Sequence, residues 1–124
     1  MPIVVAAAIE VATGIVLMVA PSAFARVLLG ADLSSAGQAV GRIAGFALLS
    51  LGLACWPKGG PAAGATAGAL ASPALLIYNL LITLYLAYVG IARELVGTLL
   101  WPAVALHAVL LAFLVHARFF KPKS

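Results

Sequence analysis

Glu10, Ser50, Asn79 and His107 are polar side chains set inside long apolar runs, and Glu10 is the carboxylate among them. Ionisable groups at membrane depth are rare, face a bundle interior, and mark sites where protons or ions are handled. A carboxyl that meets an imidazole and an amide in a dry bundle can pass a proton or hold a cation. The same groups can also serve as glue, because interhelical hydrogen bonds in membranes average under about 1 kcal/mol and register helices without any chemistry. Which of the two applies depends on the elements that carry these residues.

Residues 3–20 form an apolar run that contains Glu10. About 18 residues at ~1.5 Å rise per residue are enough to cross a hydrocarbon core of ~30 Å. Ala6, Ala7, Thr13, Gly14 and Leu17 share the face of Glu10 at helical spacing, so that face should pack against other helices. The Ala23-Phe24-Ala25 stretch has the small residues of a signal-cleavage site, but Met1-Pro2 offers no positive charge and Glu10 interrupts the apolar region, so the run reads as a retained span.

Residues 22–29, from Ser22 as a cap to a stop at Gly30, predict a short interfacial helix, and 32–37 a polar loop. A second span is expected over about 38–56, with Trp56 in an aromatic belt and Arg42 snorkelling to the headgroups. Gly41 and Gly45 form a GxxxG pair, and Gly52 continues a small-residue face on which another backbone, even that of a second copy, would fit closely; Gly14 offers the like on the first span. Residues 59–71, rich in Gly, Ala and Pro, read as a flexible connection whose second half can extend the next helix. The third span, about 73–91, is expected to start with Ser72 as cap and Pro73 in the first turn. Asn79 and Thr83 share one of its faces; Tyr78, Tyr85 and Tyr88 read as packing or interfacial residues. Arg93-Glu94 marks a polar turn, and the last span covers about 97–118, with its start anywhere between Leu95 and Trp101.

The expected fold class is therefore an all-α integral membrane protein, a single domain over residues 1–124 built as a bundle of four transmembrane helices with a short interfacial helix after the first. Composition agrees: of 124 residues 65% are hydrophobic and only 8% charged, with a mean hydropathy of +1.22, against about 25% charged in soluble domains. The net charge of +4 does not mark a nucleic-acid binder, because the basic residues are scattered over segment ends. With four spans, Lys58, Arg118, Lys121 and Lys123 lie on the side of the termini, and Arg26, Arg42 and Arg93 on the other, which favours cytoplasmic termini. Cys55 is the single cysteine, so no internal disulfide or cysteine cluster can form. Zinc spacing, a phosphate loop and a Ser-His-Asp set are missing from the sequence, which argues against an enzyme and implies no metal or cofactor.

Counted from the span ends at ~1.5 Å per residue, Glu10, Asn79 and Ser50 fall in one layer ~9–10 Å from one side of the bundle. His107 joins that layer only if the last helix begins near Leu95; a start at Trp101 lifts it by about 10 Å.

The stretch from Gly41 to Trp56, with Tyr78-Asn79 and Trp101-Pro102-Ala103 later, resembles small four-helix bacterial membrane proteins of the DoxX-like type. The resemblance spans most of the chain and implies an inner-membrane four-helix bundle, without catalytic residues to carry over. Glu10-Val11 with Gly14 and Met18 resembles the first helix of the small multidrug resistance transporters, in which a membrane-embedded glutamate exchanges protons for cationic drugs; the later spans and residues 21–37 depart from that pattern. Two readings follow. One is a structural or accessory subunit in the lipid bilayer, alone, as a homo-oligomer or beside a larger membrane partner. The other is a proton-coupled small-molecule transporter using Glu10.

Overall fold

A computed structural model of the chain describes residues 2–56, 63–92 and 95–120. Those residues are built from five helices: α1 Pro2–Val19, α2 Pro21–Leu29, α3 Ser35–Ala54, α4 Ala63–Ala92 and α5 Leu100–Phe119. Helix α3, the Pro73–Ala92 part of α4, and α5 are each long and apolar enough to cross a bilayer; α1 and α2 together pass the same test as one broken span bent by 115°. Large apolar side chains such as Ile43, Leu84 and Phe113 point outward, as a lipid-facing surface requires and a soluble one does not. The chain is an α-helical integral membrane protein.

Local chemistry moves several boundaries. Helix α3 starts at Ser35 rather than near Gln38, because the Ser34 side chain accepts the Gly37 N–H at 3.1 Å and caps it. Ser22 does not cap α2: Ala20 stands at the cap, Pro21 opens the helix, and Ser22 Oγ is buried without a partner among the described residues. The stop at Gly30 is left-handed, with φ 73°. Helix α4 does not begin at Ser72 and Pro73 but runs through Pro73 from Ala63, so the expected connection is helical in its second half. Pro102 lies in the first turn of α5, where its missing N–H leaves no helical bond unmade. The residues expected to close the second span at Pro57, Lys58 and Gly59-Gly60, the turn at Arg93-Glu94 and the tail from Lys121 lie outside the described residues.

Helix α1 packs along α3, and α4 packs along α5; the two pairs meet where α1 touches both α4 and α5. The α1–α3 crossing is close because it is built on glycine. A Cβ at Gly45 would stand 2.7 Å from the Gly14 carbonyl oxygen, one at Gly14 2.7 Å from the Leu49 nitrogen, and one at Gly52 2.7 Å from the Ala7 carbonyl oxygen. Gly41 faces Pro21 of α2. The GxxxG face therefore meets α1 and α2 of its own chain, not a second copy.

Ala6, Ala7, Cys55, Leu75, Leu110 and Leu114 form a buried cluster toward the end of the bundle where α1 starts and α5 ends. At the other end α2 folds back across the helices. Its last carbonyls, which a helix leaves without internal partners, are met by the segment before α5: Gly97 N–H donates to Leu28 O at 3.1 Å and Leu99 N–H to Val27 O at 3.0 Å. On the outer side, Arg26 reaches Asp32 at 2.7–2.8 Å. A Cβ at Gly97 would come within 2.6 Å of the Leu28 carbonyl oxygen, so Gly97→Ala is expected to loosen α2. Amide hydrogen exchange at Gly97 and Leu99 should rise about tenfold or more in that variant, and unchanged exchange would refute the docking role.

Candidate functional site

Half-way along the bundle, where the packed cluster ends, three helices bring polar groups together. Glu10 of α1 is only 1% exposed and Asn79 of α4 is 0% exposed. Tyr78 of α4 stands beside the Glu10 carboxyl, whose Oε1 is buried and has no hydrogen-bond partner among the described residues. Asn79 Oδ1 stands 3.0 Å from His107 Nδ1, and the Tyr78 and His107 rings meet edge to face with centroids 5.9 Å apart. Glu10, Tyr78, His107 and Asn79 thus form a chain of contacts across α1, α4 and α5.

The orientation of this chain follows from one backbone carbonyl. Asn79 Nδ2 donates to Leu75 O at 2.8 Å, one turn back on α4. Reversing the amide would set its oxygen against that carbonyl, so Oδ1 must face His107. An amide oxygen only accepts; His107 Nδ1 therefore carries the proton. In the neutral ring Nε2 is then a lone-pair acceptor. Thr83 adds its own bond, donating to Asn79 O at 2.6 Å.

Among the described residues, helix α3 does not pack along α4 or α5. Between them lies a cleft of about 690 Å³ floored by Ile9, Thr13 and Leu17 of α1 and walled by Ala47 and Leu48 of α3 and Ala103 and Leu106 of α5. Phe24, Val27 and Leu28 of α2 close one end, and Tyr78 and His107 stand at the other. Its lining is almost wholly apolar. Glu10 is not on its wall: Tyr78 reaches both the cleft and the carboxyl.

Of the four residues singled out by position in the sequence, three come together and one does not. Ser50 is exposed and its hydroxyl donates to Phe46 O at 2.8 Å within α3, turned away from Glu10. Depth along a helix does not fix which of its faces a residue occupies, and Ser50 lies on the outer one. His107 reaches Asn79 although α5 starts at Leu100, against the expectation that only a start near Leu95 would allow it. The count set every helix upright from a common plane, whereas the first turn of α5 packs at Gly90, inside the end of α4, with Leu100 and Trp101 3.0 Å from where a Gly90 Cβ would be. Tyr78, expected to pack or to sit at the interface, stands beside Glu10 and against the His107 ring. Its place beside Asn79, well inside the span rather than near an end, was the available signal. Among the described residues no three His, Cys, Asp or Glu side chains converge to hold a metal ion.

Compared with protein families, curated proteins and solved structures, the chain matches none.

Proposed function

We propose that this chain is a small accessory subunit of a bacterial cytoplasmic membrane that holds a lipophilic molecule in the cleft between α3 and α5. In this reading α1, α3, α4 and α5 are four spans in a DoxX-like bundle, α2 lies at the interface, and both termini are cytoplasmic. The observation that carries it is the cleft: about 690 Å³ lies within the ~300–1,000 Å³ of small-molecule sites, and apart from Thr13 on its floor its lining is apolar except at the Tyr78–His107 end. Side chains at this depth would close such a gap if nothing were to enter it, since packing is what holds membrane helices together.

The carboxyl suits glue better than cargo handling. A proton-coupled transporter using Glu10 needs that group to meet what it moves, and Tyr78 stands between the two. Glu10 instead ties α1 to α4, and Asn79 ties α4 to α5 through His107.

Ala47→Trp places an indole in the cleft from its α3 wall. Native mass spectrometry of the purified protein, released from a mild detergent, should show a retained lipid-sized adduct on the natural chain and about tenfold less on Ala47→Trp. Equal adducts on both would refute the cleft as a binding site.

A further inference from the structure

Of the two side chains that make the polar end of the cleft, His107 has a fixed hydrogen-bond sense. His107 Nδ1–H is committed to Asn79 Oδ1, because Leu75 O fixes the amide. Its Nε2, on the cleft side, has only a lone pair to offer. Tyr78 stands beside Glu10, and its hydroxyl can accept as well as donate. Behind both stand fixed partners: Asn79 is fully buried and Glu10 nearly so. The imidazole at this end of the cleft is thus set to accept, not to donate.

Position narrows the class further. Tyr78 and His107 lie well inside their spans, so the polar end of an occupant sits deep in the bilayer rather than at a headgroup. A charged head at that depth is costly. The cleft wall holds no acidic side chain to balance an ammonium, since Glu10 is not on it. An ester head brings only acceptors, and carboxylate and phosphate heads bring charge as well, so none of them gives His107 Nε2 a neutral donor. A hydroxyl is neutral, small and brings one proton.

We infer that the occupant of the α3–α5 cleft is a neutral lipophilic alcohol or phenol, bound with its hydroxyl donating to His107 Nε2 beside Tyr78 and its hydrocarbon part running toward α2. This rests on the cleft being a binding site. His107 is the group that selects the head, and Asn79 is the positioning residue that sets which nitrogen of the ring faces the ligand. Asn79→Leu removes that control and lets the ring turn its N–H toward the cleft.

The test uses three probes of equal chain length, 1-hexadecanol, methyl hexadecanoate and hexadecylamine, each offered to the natural full-length chain in mild detergent and measured by the fraction retained in native mass spectrometry. Hexadecanol should be held about tenfold more than the other two, as expected where a buried acceptor is paired only by the right head. His107→Phe should bring hexadecanol down to the level of the ester, with an unchanged helical circular dichroism spectrum as the check on folding. Asn79→Leu should narrow the preference for alcohol over ester. The comparison on the natural chain decides without any variant: equal retention of alcohol and ester, or tightest retention of the amine, overturns the hydroxyl assignment. If Ala47→Trp abolishes that equal retention, the cleft still binds and only the head-group inference falls. If Ala47→Trp leaves all three probes bound, both readings fall.

Discussion

Gly45→Ala should lower the unfolding midpoint of the purified protein sharply, and Gly45→Leu should prevent recovery of folded chain. A single methyl at this position would come 2.7 Å from the Gly14 carbonyl oxygen and 2.9 Å from the Met18 nitrogen. Both are backbone atoms of α1, so relief requires the two helices to part rather than a side chain to turn. Overpacking of this kind costs about 1–3 kcal/mol, and here it acts on the longest shared seam in the bundle. Gly41→Ala is the matched comparison: its methyl meets the Pro21 ring at 3.0 Å and the flexible end of Leu33 at 3.8 Å, so it should be several times milder. Thermal unfolding in detergent, followed by circular dichroism, reads the difference. Equal midpoints for Gly45→Ala and the natural chain would mean that α1 and α3 do not cross at these glycines.

The second large effect concerns Glu10, and it separates two roles that look alike in a sequence. Glu10→Gln keeps the volume and a polar group beside Tyr78, so it should unfold within about 1 kcal/mol of the natural chain, in keeping with the small worth of single hydrogen bonds between membrane helices. Glu10→Ala removes the side chain from a position that is 1% exposed and leaves a cavity where α1 meets α4. Truncations at buried positions cost about 2–5 kcal/mol. A ranking with Gln near the natural chain and Ala far below it marks a carboxyl that works by filling space and accepting a bond. If Gln is as damaging as Ala, the ionisable group itself is required, and the transporter reading regains its footing.

Much of the architecture can be read from residue order because apolar length and small-residue spacing are local properties. The run around Glu10, the stop at Gly30 and the face shared by Asn79 and Thr83 are each set by a few neighbouring residues. What escaped was decided by partners distant in the chain. Pro73 has the look of a helix start, yet α4 continues through it; in lipid, neighbouring helices can meet the backbone groups that a proline frees. The glycines of α3 carry the pattern of a dimer face, but a pattern does not say whose backbone approaches, and here it is that of α1 and α2. Ser50 shows the same limit, having the right depth on the wrong face. The role of Tyr78 depends on Glu10 and His107 converging from two other helices, which no spacing within α4 encodes. The cleft is less legible still, since it exists because, among the described residues, α3 stands apart from α4 and α5.

The most direct test of the cleft as a lipophilic binding site is to ask whether hydrocarbon enters it in a bilayer. The full-length chain is reconstituted in phosphatidylethanolamine–phosphatidylglycerol vesicles, exposed to 1-hexadecanol bearing a diazirine near its chain end, irradiated, and mapped by peptide mass spectrometry. Adducts are expected on Leu48, Leu51 and Leu106, which line the cleft, and should disappear in Ala47→Trp while labelling of the outward Ile43 and Leu84 persists. Labelling confined to Ile43, Leu84 and other outward side chains, with the cleft residues unlabelled in the natural chain, would contradict it.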